Sequence, residues 1–209
     1  MTTRRLPVYM KPRDWSEAYK TGIPHWAENN QPSVLAKHFL KMLPKKSGNK
    51  IFEIGIGNRR DSIFFAKAGN DVDGIDIVRN AVEMAGKNAK TAGLSKKIHF
   101  KVGNAEKLQF EDKSFDGVYS VSVLHATDLK LSLKELARVL KNKGKALIYL
   151  YEKTEEGGKE YWFMRRNEIE KLLIKNNLHM DSRRSVIHLG HEREETTVLI
   201  YKLTKINTK

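Results

Sequence analysis

EIGIGNRRDSIFFAKAGNDVDGIDI, residues 53–77, is the stretch on which the fold turns. It takes up the end of a short apolar run, KIFEI at 50–54, which reads as a buried strand running into a Gly turn. DSIFFAKA, residues 61–68, is then a short helix closed by Gly69 as a left-handed cap. DVDGIDI, residues 71–77, is a second strand. Strand, Gly-rich turn, then helix is the layout in which backbone N–H groups meet a nucleotide-like ligand. Gly55 and Gly57 would let such a ligand approach the main chain, because no Cβ intervenes. Taken alone, a Gly-x-Gly is equally an ordinary tight turn.

The flanks extend this pattern. Upstream, a helix is expected over 33–43, with Leu35, Phe39 and Met42 on one face and Pro44 as its stop. Downstream, residues 79–92 form a helix with Ala81, Ala85 and Ala89 on one side, ended by Gly93. A third strand follows at 97–102 and a fourth, FDGVYSVSV, at 115–123. Residues 132–140 read as a helix with Leu133, Leu136, Ala137 and Leu140 as its stripe, and Ser132 with Glu135 resembles a capping box. Asn142 and Gly144 turn the chain into a fifth strand, KALIYLY, at 145–151. Such alternation means a doubly wound α/β domain, a parallel sheet with helices on both faces. After residue 151 the pattern changes to a helix at 167–177 and strand-like stretches near 185–189 and 196–203. Their short connection implies an antiparallel pair at one sheet edge.

Ligand-capable side chains recur at the strand ends. Asp76 follows the glycines by about twenty residues, where a carboxylate accepts both hydroxyls of a ribose; it can also cap the next helix. Asn104 and Ala105 follow the third strand, where an amide can bond the edge of a base or simply make a turn. This much fits NAD or S-adenosylmethionine. The dinucleotide fingerprint G-x-G-x-x-G requires Gly at position 60, which is Arg.

Residues 50–151, read in order, resemble the class I S-adenosylmethionine-dependent methyltransferases, of the type 11-like kind. EIGIGNRRDSIFFAKAGNDVDGIDI resembles their first cofactor motif with its acidic second strand, and VGNAEKLQFEDKSFDGVYSVSVLHATDLKLSLKELARVLKNKGKALIYLY resembles the next three motifs. The resemblance implies a Rossmann-like, seven-stranded, mostly parallel sheet of order 3-2-1-4-5-7-6 with the last strand antiparallel. It implies S-adenosylmethionine as cofactor and S-adenosylhomocysteine as product. Glu53, Gly55 and Gly57, with Asn58 and Arg59 beside them, would line the methionine part. Asp76 would hold the ribose, Ile77 would pack on adenine, Asn104 and Ala105 would meet its edge, and Ser120 and Val121 would back the sulfonium. Two positions depart from the family. Arg59 stands where a third Gly is common, and its guanidinium can pair with the methionine carboxylate. Asn104 stands where Asp is commoner, so a bond to adenine there carries no charge.

The N-terminal DWSEAYKTGIPHWAENNQPSVLAKHF resembles the opening of thiopurine- and tellurite-resistance-type methyltransferases. That implies a lid, residues 1–31, carrying Trp15, Tyr19 and Trp26 over a single domain at 32–209.

Methyl transfer is an in-line displacement at a carbon already activated by sulfonium, so positioning does most of the work. His125, after the fourth strand, is the candidate base or substrate-orienting group, and it serves equally as a structural histidine. His188 and His191 with Glu192 have a conceivable ligand spacing but sit in a hairpin, so no metal is expected. Tyr161, Trp162 and Phe163 are core packing or a pocket wall.

The 209 residues suffice for one core, and the absence of Cys excludes disulfides and Cys-ligated zinc. No apolar run reaches the roughly 18 residues of a membrane span, and the basic N-terminus lacks an apolar signal core, so a cytoplasmic protein is expected. A small-molecule methyl acceptor on S, N, O or a metalloid is the expected partner. The formal charge of +14 makes RNA or another polyanion an alternative, although the basic residues are scattered in pairs. A non-catalytic binding module on the same fold is the third alternative.

Overall fold

The computed structural model describes residues 15, 16, 19, 31–46, 48–57, 60–152, 164–189 and 195–207. In chain order the elements are α1 (Val34–Met42), β1 (Lys50–Ile54), α2 (Arg60–Lys67), β2 (Asp71–Asp76), α3 (Arg79–Thr91), β3 (Ile98–Val102), β4 (Phe115–Val121), α4 (Leu129–Val139), β5 (Leu140–Tyr151), α5 (Arg166–Lys175), β6 (Leu178–Leu189) and β7 (Glu195–Lys205). The seven strands form one sheet of order β3-β2-β1-β4-β5-β7-β6. β1 through β5 are mutually parallel, whereas β7 runs antiparallel to both β5 and β6.

Parallel strands covered on both faces lose the apolar–polar alternation of a half-exposed strand. KIFEI is accordingly buried from Ile51 to Ile54, and β4 from Gly117 to Ser120. One face packs Phe52, Ile54, Phe115 and Val118 against Leu133 and Leu136 of α4 and Ile169 and Leu173 of α5. The other packs Ile51, Val72, Tyr119 and Leu147 against Ala36 and Phe39 of α1, Phe65 of α2 and Ala89 of α3. A buried polar knot pins α1 to this face. The Asp61 carboxylate accepts the Ser33 N–H and hydroxyl and the Tyr119 hydroxyl, each at 2.8 Å, while Ser33 caps α1 by accepting the Ala36 N–H at 3.0 Å.

Three expectations are corrected. α4 begins at Leu129, not 132, because Asp128 is the cap, accepting Lys130 N–H at 2.9 Å and Leu131 N–H at 3.3 Å. Ser132 is therefore buried inside the helix with its hydroxyl 2.7 Å from that of Thr127, and Glu135 accepts the Leu108 N–H and pairs with Arg138 instead of closing a box. β5 begins at Leu140: the expected turn is absorbed as an irregularity in the β4–β5 ladder, with Lys143 at φ +63. β6 begins at Leu178, seven residues before the expected stretch. Its opening, LHMDSRR, forms the sheet edge and is exposed after Leu178, so no alternating apolar signal marks it.

Candidate functional site

The carboxyl edge of the sheet gathers the residues singled out from sequence. β1 ends in a bend at Gly55 (φ +79) and Gly57 (φ +46), left-handed conformations that favour glycine. The bend is tied to the neighbouring strand, since the N–H groups of Gly55 and Ile56 both donate to the Ile75 carbonyl, at 2.8 and 3.1 Å. Asp76 then reaches across: one carboxylate oxygen accepts the Gly57 N–H at 3.1 Å and the other accepts the Val78 N–H at 3.0 Å. Burial raises the Asp76 pKa, and the N–H groups of Val78, Gly57 and Ile77 pull it back. Glycine bend and acidic strand end thus meet in one place.

Glu53 lies beneath the bend, 5% exposed, and accepts the Ser62 hydroxyl. Burial drives its pKa well above the ordinary 4.5, Asp61 and Asp76 push the same way, and Ser62 and Arg60 oppose them. A carboxyl whose folded pKa is raised favours folding fully below 4.5, and that contribution is lost as pH rises through the folded value. Glu53→Gln keeps an acceptor for Ser62 without the ionisation. Urea melts at pH 5 and pH 8 are expected to give a variant that gains stability relative to the wild type as pH rises. A constant difference between the two proteins would contradict this.

Beside Asp76 the surface is apolar. Ile77 is 49% exposed, and Val102, which pairs with Asp76 in the β2–β3 register, is 45% exposed. Val102 was not foreseen from sequence; its place next to Asp76 is set by that register. Asn104 is exposed and uses its side-chain oxygen to accept the Glu106 N–H at 2.9 Å, and Ala105 is buried beneath. These planar-ligand faces and the carboxylate suit an adenosyl group.

On the opposite side of the bend, Ser120 is buried and donates to the Ile54 carbonyl at 3.3 Å, and Val121 is half-buried. The chain then turns so that a Val123 methyl fills the space beside Gly55, 2.1 Å from where a Cβ would stand. His125 follows in the short 3-10 turn Leu124–Ala126. It is buried, burial pushes its pKa down to about 3, and its ring meets Tyr151 edge-on at 4.4 Å. The imidazole is therefore neutral at pH 7 and a weak base.

From the N-terminal segment, Trp15 and Tyr19 are helical and half-buried. The Tyr19 hydroxyl lies over the bend, 3.5 Å from where a Gly57 Cβ would be. Asn58, Arg59, Trp26, Tyr161, Trp162, Phe163, His191 and Glu192 fall outside the described residues, and His188 belongs to β6. Among the described residues no three His, Asp or Glu side chains are grouped for a metal, and no helix is long and apolar enough to cross a membrane.

The family model described as a methyltransferase domain matches residues 52–148, the interval that carries this edge. Over that interval the chain is similar to the class I, S-adenosylmethionine-dependent methyltransferases. The chain is 36% identical over 110 residues to the 27-O-demethylrifamycin SV methyltransferase of Amycolatopsis mediterranei, covering 51% of this chain and 40% of that protein. It is 28% identical over 116 residues to the methyltransferase GfsG of Streptomyces halstedii, covering 54% of this chain and 42% of that protein. The chain thus matches less than half the length of these curated relatives. Among solved structures, geranyl diphosphate C-methyltransferase from Streptomyces coelicolor, bound to S-adenosyl-L-homocysteine, superposes with a TM-score of 0.70 at 13% identity, covering 83% of this chain and 79% of that one. The 4+2 cyclase SpnF superposes with a TM-score of 0.74 at 15% identity, covering 96% and 94%. At such identities the likeness is one of fold, and a cyclase among the neighbours illustrates that the fold alone does not dictate the reaction. The family match begins at residue 52, so the N-terminal segment lies outside it.

Proposed function

We propose that the protein binds S-adenosylmethionine at the carboxyl edge of β1, β2 and β3 and transfers its methyl group to a small-molecule nucleophile. The observation that carries this reading is the meeting of the Asp76 carboxylate with the Gly57 N–H at 3.1 Å. Asp76 has further lone pairs for the ribose hydroxyls, since a carboxylate accepts about four bonds. Ile77 and Val102 offer apolar surface to adenine, with Asn104 and Ala105 at its edge. Glu53, Gly55 and Gly57, with Asn58 and Arg59, take the methionine part, and Ser120 and Val121 stand behind the sulfonium. Bound there, the cofactor supplies an activated methyl carbon; the protein's task is to align a nucleophile with it and exclude water. Tyr19, over Gly57, supports a lid formed with Trp15 and Trp26. His125 orients the acceptor and does not take its proton.

Binding is tested by thermal shift with S-adenosylhomocysteine. At 100 times its dissociation constant a ligand adds about 2.7 kcal/mol, roughly 5–10 °C in Tm for a chain of this size. The expected result is that shift with S-adenosylhomocysteine and none with NAD. A shift with NAD alone would reject the reading.

The +14 surplus favours a second acceptor, RNA. Many of the cations are engaged locally, including Lys97 with Asp71, Arg138 with Glu135 and Asp112, and Arg166 with Glu152. Binding of RNA that falls steeply with salt, together with label from methyl-labelled cofactor entering RNA, would favour it over the small molecule.

A further inference from the structure

The carboxyl ends of β4 and β5 carry a group of side chains that the cofactor reading leaves unused. β4 stops at Val121 because Ser122 takes φ +59, a left-handed backbone uncommon outside glycine. Such conformations persist only where the surroundings hold them, and they cluster at functional sites. This turn is what places Val123 against Gly55. In the parallel register Val121 lies opposite Tyr149. After burial, Tyr151 pushes the Tyr149 pKa up and Ser122 pulls it down, so both side chains lie close to the Tyr149 hydroxyl. The rings of Tyr149 and Tyr151 meet at 5.8 Å and 82°, and those of Tyr151 and His125 at 4.4 Å and 75°. Ser122, Tyr149, Tyr151 and His125 thus form a continuous hydroxylated, aromatic wall next to the bend, on the far side from Asp76.

The wall is uncharged. Burial alone lowers His125, and burial followed by Tyr151 raises Tyr149 above its ordinary range. No carboxylate, ammonium or guanidinium among the described residues contributes to either shift. At neutral pH neither group removes a proton from an alcohol or phenol.

We propose that Ser122, Tyr149, Tyr151 and the His125 ring form the acceptor side of the transfer site, and that the acceptor brings a ready lone pair: a thiolate, a thioether or a tertiary amine. This rests on the methyltransferase reading. The acceptor's lone pair forms the new bond to the methyl carbon, the donor's carbon–sulfur bond breaks with its electron pair left on sulfur, and no proton moves. A thiolate becomes a neutral thioether. A thioether or tertiary amine becomes an onium cation, which the aromatic rings attract within about 6 Å. Ser122 and Tyr149 fix the angle of approach.

The test uses the full chain with S-adenosylmethionine and a panel of alkyl and aryl thiols, thioethers, tertiary amines, phenols and alcohols, with products identified by mass spectrometry. Tetramethylammonium is titrated calorimetrically into the S-adenosylhomocysteine complex as a cation probe. The expected products are methylated thiols, thioethers or amines. Ser122→Gly, which accepts the left-handed backbone, and Tyr149→Phe are each expected to lower kcat/KM about 10-fold, the worth of one lost hydrogen bond, with S-adenosylhomocysteine affinity unchanged. Tyr149→Leu is expected to weaken the tetramethylammonium complex about 5-fold, as loss of one cation–π face does. Transfer to phenols or alcohols only, transfer to no member of the panel, or variants with wild-type kinetics would overturn the proposal. Failure of S-adenosylhomocysteine to bind the wild type would instead overturn the methyltransferase reading beneath it.

Discussion

Asp76→Ala is expected to lower the affinity for S-adenosylhomocysteine about 100-fold or more while leaving a folded protein. Two ribose hydroxyls donating to an ionised carboxylate form charge-assisted bonds, each worth about 1.5–3 kcal/mol. The substitution also leaves the Gly57 and Val78 N–H groups without their carboxylate. Val78 is buried and Gly57 half-buried, so the variant also loses some stability, and its affinity is compared on protein that a melting curve shows to be folded. Asp76→Asn retains an acceptor and is expected to lose about 10-fold. Isothermal titration calorimetry on the wild type and both variants gives the three affinities. Equal affinities would show that Asp76 holds no ligand.

Gly55→Ala is expected to destabilise the fold by about 2–5 kcal/mol, from overpacking of about 1–3 kcal/mol and a left-handed penalty of about 1–2 kcal/mol. At φ +79 the added Cβ would stand 2.1 Å from a Val123 methyl, a clash that requires the β4 turn to move. Gly57→Ala is the internal comparison. At φ +46 its Cβ would meet nothing closer than the Tyr19 hydroxyl at 3.5 Å, so only the backbone penalty applies. The Gly55 variant should melt about 4–20 °C lower than the wild type and the Gly57 variant about 2–8 °C lower. In the Gly55 variant the displaced Val123 carries Ser122 with it, so methyl transfer falls further than stability alone dictates. Similar melting temperatures for the two variants would contradict this division of roles.

The alternation of strands and helices was legible because its signal is local, while the strand order came from the family resemblance. Central strands such as KIFEI are apolar throughout, helices end in Gly69 and Gly93, and the late change of pattern after residue 151 marks the antiparallel strand. The edge strand was legible only in its second half, since exposed residues 179–184 answer to no core. The start of α4 was missed because Ser132 and Glu135 have capping spacing, while their partners, Thr127, Leu108 and Arg138, are fixed by tertiary packing. At the site, the Gly bend and Asp76 could be read from spacing. The wall around Tyr149 could not: the register of β4 on β5 and the φ of Ser122 bring it together, and KALIYLY looks like any buried strand. His125 was legible as a candidate, but its burial, which decides its protonation, was not.

A crystal structure of the protein with S-adenosylhomocysteine is the most direct test. The account predicts both ribose hydroxyls within about 2.5–3.0 Å of the Asp76 carboxylate, adenine against Ile77 and Val102, and the thioether sulfur facing Ser122 and Tyr149. A ligand bound elsewhere, or a ribose whose hydroxyls turn away from Asp76, would contradict it.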